Sequence, residues 1–146
     1  MPDGSLYVLI RGMDMAYDAM VLLGLFYDRN KIIMIEEGDL PTPEPGSMMI
    51  TLDKKEYDGG FSAEAAFYDT VNGQEDFMAI LNGCRKPAFS SSMKITVADM
   101  NRPGGYLMRN RKIICGTVLY HILQRAFQKE LPYGSLTGVR PVKMAA

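Results

Sequence analysis

The strongest constraint in the chain is a pair of alternating segments joined by a two-glycine turn. In Ser47–Tyr57, Met48, Ile50 and Leu52 recur at every second position; in Phe61–Asp69, Phe61, Ala63, Ala65 and Phe67 do the same. Side chains of a strand alternate between faces, so each run presents one apolar face and one mixed face. Asp58-Gly59-Gly60 lies between them, and a tight hairpin turn needs the positive φ that glycine supplies at little cost. The sequence therefore predicts an antiparallel hairpin, and the other elements must pack around it.

Upstream, Ser5–Arg11 predicts a strand with Leu6, Val8 and Ile10 on one face, while Tyr7 and Leu9 imply a partly covered second face. Gly12-Met13-Asp14 breaks it, with Asp14 as the expected helix cap. A helix is expected to follow to about Tyr27, with Tyr17, Met20, Val21 and Gly24 at helical spacing. Asp28-Arg29-Asn30 ends it, and Lys31–Glu37 predicts a second strand, rich in β-branched residues. A strand, helix and strand in this order can pair the two strands in parallel. Pro41, Pro43 and Pro45 make Gly38–Gly46 a stiff exposed connector.

Downstream of the hairpin, Asp76–Leu81 predicts a helical turn closed by Asn82-Gly83, and Met93–Val97 a further strand. Ser90-Ser91-Ser92 and Arg102-Pro103-Gly104-Gly105 read as loops. Tyr106–Glu130 is the longest helical pattern, with Ile114, Cys115, Val118, Leu119, Ile122 and Ala126 on one broad apolar face. The expected fold class is α+β: one domain, with a mostly antiparallel sheet of four to five strands and two main helices on one face. Its other face is expected to be solvent-exposed or to dock on another domain. A length of 146 residues and a hydrophobic content of 47% suit one globular domain. No apolar run is long enough for a membrane span. The start, Met-Pro-Asp-Gly, carries no signal-peptide pattern.

Formal charge is divided unevenly. Residues 1–101 carry a net −8, and residues 102–146 a net +7. The two halves can neutralise each other inside one fold, or the basic end can face an anion or an acidic neighbour. Arg109, Arg111 and Lys112 sit where the long helix begins, the end at which cations oppose the helix dipole. They are candidate anion or domain contacts, with Arg140 and Lys143 further on. Gly104-Gly105 before them lacks the spacing of a phosphate loop. Cys84 and Cys115 are the only cysteines, and a chain without a disulfide framework fits a reducing, cytoplasmic setting. Cys84 is expected to be partly buried. His121, the only histidine, has no second histidine or carboxylate at ligand spacing and is expected at the surface. The twelve methionines are expected to fill core space.

After the long helix comes Leu131-Pro132-Tyr133-Gly134-Ser135-Leu136-Thr137-Gly138-Val139-Arg140-Pro141. Pro132 ends the helical pattern, Gly134 and Gly138 permit positive φ, and Leu131, Leu136 and Val139 can pin a shaped loop to a core. This segment resembles one found in the oxygen-independent coproporphyrinogen III oxidases, or coproporphyrinogen dehydrogenases, of the Firmicute-type radical-SAM group. There a Leu-Pro-Trp-Gly-x-Leu-Thr-Gly-Ile-Arg-Pro-like segment joins an N-terminal domain to the catalytic barrel. Tyr133 stands where tryptophan is commoner. The Cys-x-x-x-Cys-x-x-Cys cluster motif of that family does not occur in these 146 residues.

The resemblance implies that residues 1–130 form an accessory N-terminal domain. Residues 131–146 would be a connector toward a radical-SAM catalytic domain, which would be the domain's partner. The parent enzyme would use a [4Fe-4S] cluster and S-adenosylmethionine to decarboxylate coproporphyrinogen III oxidatively to protoporphyrinogen IX. Arg140 would pair with a carboxylate of that domain or of the porphyrinogen substrate. The fragment itself would carry no cofactor and no catalytic residue. The other reading is a stand-alone module for an anionic ligand or nucleic acid, with Arg102, Arg109, Arg111, Lys112 and Lys143 as its footprint. A net charge of −1 and poor interleaving of aromatic with basic residues disfavour nucleic acid.

Overall fold

The computed structural model describes residues 4–36 and 41–128. The expected hairpin is its centre. Strand β3 (Ser47–Tyr57) pairs antiparallel with β4 (Gly60–Val71) from Tyr57↔Gly60 to Ser47↔Val71, with a register irregularity between Ser47 and Met49. Gly59 in the turn has φ +76°, the left-handed conformation the turn chemistry requires. Strand β1 (Leu6–Arg11) joins β3 on its other side in parallel, and β2 (Ile32–Ile35) pairs in parallel with β1. Strand β5 (Phe89–Ile95) pairs antiparallel with β4. The sheet order is β2-β1-β3-β4-β5. The α+β class and the single five-stranded sheet are as expected, but the expectation of a mostly antiparallel sheet is corrected, since two of the four pairings are parallel. The sheet is mixed, because the helical crossover brings β1 and β2 together in parallel and β3 enters beside β1 in the same direction.

Helix α1 (Ala16–Leu23) and helix α4 (Arg111–Phe127) cover one sheet face. The core between them takes Leu6 and Val8 from β1, Met48, Ile50 and Leu52 from β3, and Phe61, Ala63, Ala65 and Phe67 from β4. These are the alternating residues of the sequence pattern. Helix α4 contributes Ile114, Cys115, Val118, Leu119, Ile122 and Leu123, and Phe26 meets Tyr120 edge-on at 5.8 Å. The second face is not left open throughout. Helix α2 (Gln74–Leu81) lays Phe77 and Ile80 over Tyr7, Leu9, Met49 and Tyr68, with the Tyr7 and Phe77 rings edge-to-face at 5.2 Å. That helix extends the single turn expected at Asp76–Leu81, and its N-terminal turn carries Glu75 and Asp76, which favour the dipole there.

Several expectations are corrected. Asp14 does not cap α1; Met15 occupies the cap position, makes no side-chain cap bond, and is buried. Burial of that thioether fixes the helix start instead. The helix turns its Ala19, Leu22 and Leu23 inward, so Tyr17 is 79% exposed and Val21 also faces outward. It ends at Leu23, and turns carry the chain on to Tyr27. Ser90, Ser91 and Ser92 lie inside β5, because the alternation of Phe89, Ser91, Met93 and Ile95 against β4 overrides their turn propensity. Val97 begins a short helix α3 (Val97–Asn101), closed by a reciprocal cap between Thr96 and Asp99. The long helical pattern is divided as well: a 3-10 turn spans Gly105–Arg109, and Asn110 starts α4 by accepting a bond from the Ile113 N–H at 3.2 Å. Within the proline-rich connector Pro43 is buried rather than exposed.

Candidate functional site

The basic cluster expected at the start of the long helix forms, and acidic side chains of the first hundred residues meet it. Arg111, in the first turn of α4, donates to Glu56 of β3 through Nη2 at 3.0 Å and Nε at 3.3 Å. Its guanidinium lies 4.5 Å above the Phe61 ring, so it also closes one end of the core. Lys112 Nζ is 3.2 Å from Asp18 Oδ2 on α1. Arg109 donates to the Asn101 side-chain oxygen at 3.3 Å, and Arg102 to Asp99 at 2.5 Å. Lys54, two residues earlier on the same strand, reaches Glu56 at 2.7 Å. Hydrogen bonds from Arg111, then from Lys54, pull the Glu56 carboxyl down to about 2. Cations that oppose the helix dipole are thus offset by carboxylates from β3 and α1. Four of the five proposed footprint residues already hold polar partners inside the domain. Lys143, Arg140 and the segment Leu131, Pro132, Tyr133, Gly134, Leu136, Thr137, Gly138 and Pro141 lie outside the described residues.

A second feature was not legible in the sequence. Where α2 and the loop after it leave the sheet, a cleft of about 550 Å³ opens between them. Thr51, Asp53, Glu64 and Tyr68 form its floor, and Arg85 and Lys86 its loop side. Arg11 and Asp53 are joined there by two hydrogen bonds of 2.5 and 3.0 Å. Burial pushes the Tyr68 phenol upward, against the Thr51 hydroxyl beside it. Arg85 lies 3.7 Å from Asp76 and 5.9 Å over the Tyr68 ring, and its Nη1 is buried without a hydrogen-bond partner. These groups converge only because β1, β3, β4 and the loop after α2 are adjacent in space. The strand positions alone carried no such signal.

The two thiols and the histidine lie in different surroundings. Cys115 is buried beside Met13, at 3.8 Å between sulfurs, and burial raises its thiol to about 11. Cys84 follows α2 and is exposed, because the chain turns outward at Gly83, so the expected partial burial is corrected. The sheet separates the two thiols. They do not fit a cluster site, which needs several thiolates converging on iron. Among the described residues no group of three or more His, Cys, Asp or Glu could hold a metal ion. His121 is exposed as expected, with Nδ1 3.4 Å from Ser91 Oγ. No helix among the described residues is long and apolar enough to cross a membrane.

The comparisons add no relative: no protein-family model matches the chain, and neither a curated protein nor a solved structure does.

Proposed function

We propose that this chain is the accessory N-terminal domain of a radical-SAM enzyme resembling oxygen-independent coproporphyrinogen III oxidase, acting in porphyrin biosynthesis. The observation that carries the reading is the segment Leu131–Pro141, whose Leu-Pro-Tyr-Gly-x-Leu-Thr-Gly-Val-Arg-Pro order resembles the joint between the two domains of that family, with Tyr133 and Val139 in place of tryptophan and isoleucine. The ion pairs of Arg111 with Glu56 and of Lys112 with Asp18 tie the basic start of α4 to the rest of the domain, which suits a packing role. In this reading the [4Fe-4S] cluster and S-adenosylmethionine belong to the catalytic domain. Residues 131–146 connect to it, and Arg140 pairs with a carboxylate there or on the porphyrinogen. Cytoplasmic localisation belongs to the same proposal. The test is the reading frame beyond codon 146. A Cys-x-x-x-Cys-x-x-Cys motif within the next domain supports the assignment, and a stop codon directly after Ala146 overturns it.

A stand-alone module for an anionic ligand, at a different place from the basic C-terminal footprint expected from the sequence, has one observation in its favour: the buried Arg85 Nη1 beside the second-face cleft, which makes no hydrogen bond and stands 3.7 Å from Asp76. Asp53 and Glu64 share that cleft and oppose an anion. It therefore ranks second. Titration with a small dicarboxylate such as succinate decides it: resonance shifts at Tyr68 and Arg85 that vanish in Arg85→Gln support the module, and none at all removes it.

A further inference from the structure

The two edges of the sheet are built differently. At one edge β2 has four residues among those described, a length that offers little to pair with. At the other edge β5 has seven, pairs with β4 without interruption from Phe61↔Ile95 to Phe67↔Phe89, and has no strand on its outer side among the described residues. Strand edges are ordinarily protected by proline, bulges, inward charges or covering segments. Strand β5, Phe-Ser-Ser-Ser-Met-Lys-Ile, contains no proline and no bulge, and Lys94 is its one charge. That ammonium is drawn 5.2 Å over the Tyr57 ring, back across the sheet.

The sequence of this edge is compatible with itself. An antiparallel pairing of two β5 strands about a twofold axis at Ser92 sets Phe89 against Ile95, Ser90 against Lys94 and Ser91 against Met93. All seven residues are used, apolar residues meet at both ends, and the two Lys94 ammoniums stand at opposite ends. An axis at Lys94 would instead set like charges face to face, which is unfavourable. The residue on the axis is a serine, small and uncharged. Ser92 and Lys94 lie on a part of the sheet face beyond α2, beside Tyr57, Ser62 and Glu64, while Ser90 borders the cleft formed with α2 and the loop after it. On the other face α4 lies over β5, with Arg125 4.7 Å from the Phe89 ring, and the axis would set the two α4 helices side by side. We propose that β5 is a homodimerisation edge: two copies of this chain join through antiparallel β5 strands centred on Ser92 into one ten-stranded sheet. A closed twofold contact of this kind pairs both β5 edges at once and leaves only the short β2 edges at the two ends of the joined sheet.

Sedimentation velocity and cross-linking test this directly. The 1–146 chain should pass from monomer to dimer between about 1 µM and about 100 µM, the range of a moderate dimer. In a Cys84→Ser background, oxidised Ser92→Cys should give a disulfide-linked dimer, because residues opposite each other across antiparallel strands stand about 4.5–5.5 Å apart at Cα, within disulfide reach. Ser90→Cys alone should not cross-link to itself, while Ser90→Cys mixed with Lys94→Cys should cross-link. Ser92→Lys, which brings two ammoniums together on the axis, should weaken the dimer at least tenfold without altering the circular dichroism spectrum. A chain that stays monomeric throughout, equal self-linking at positions 90 and 92, or a dimer indifferent to Ser92→Lys would each overturn the proposal. A monomer that nevertheless pairs β5 with a strand of a different domain also counts against it.

Discussion

At Glu56 two cations act on one carboxylate, and the consequence is a pH-dependent share of stability. Its folded value lies near 2, below the ordinary 4.5, so the stabilisation is fully present above about 4.5 and is lost as pH falls toward 2. The side chain is 48% exposed and the pair is screened, which limits its worth to about 0.2–1 kcal/mol. Urea unfolding of Glu56→Gln should show that deficit at pH 7, and the difference from wild type should close on acidification through that window. A second residue-scale prediction concerns the thiols. Cys84 is exposed and Cys115 buried with its thiol raised to about 11. A disulfide reagent should modify one thiol in the native protein and the second only on unfolding. Arg85 supplies a third. Its buried Nη1 lacks a hydrogen bond and its ion pair with Asp76 is long, so Arg85→Met should be neutral or slightly stabilising in thermal melts.

Among the elements, the hairpin carries the fold, and its tip is the place to test it. A Cβ on Gly60 would lie 2.4 Å from the backbone oxygen of Ile95. Gly60→Ala should therefore force β4 and β5 apart and cost about 1–3 kcal/mol, read by chemical denaturation. The hairpin was legible because alternation and turn chemistry agree there, and Ser47–Tyr57 is recovered residue for residue. The parallel pairing of β1 and β2 followed from the helical crossover between them. Local propensity failed where tertiary packing decided the matter. The three serines of β5 are held as strand by β4, and the apolar stripe of Tyr17 and Val21 on α1 is turned outward because Ala19, Leu22 and Leu23 fit the core better. Asn110 divided the long helical pattern through a side-chain cap, a signal present in the sequence but masked by the periodicity around it.

For the whole molecule, the uneven charge is the organising feature. Residues of the acidic part, Glu56 and Asp18, reach across to Arg111 and Lys112, so α4 is held to β3 and α1 at its start as well as along its apolar face. Leu119, fully buried at the centre of that face, should cost about 2–5 kcal/mol when cut to alanine, measured by denaturant midpoint at unchanged slope. The basic cluster was legible from the sequence and its internal partners were not, since they lie 55 and 94 residues away. The cleft was hidden for the same reason. The functional proposal rests on a different stretch, Leu131–Pro141, and one measurement tests it most directly: anaerobic turnover of coproporphyrinogen III with S-adenosylmethionine and a reductant. The product of the full reading frame, reconstituted with iron and sulfide, should form protoporphyrinogen IX, and residues 1–146 alone should form none. Turnover by residues 1–146 alone, or a reconstituted full-length protein that does not convert the substrate, would contradict the account.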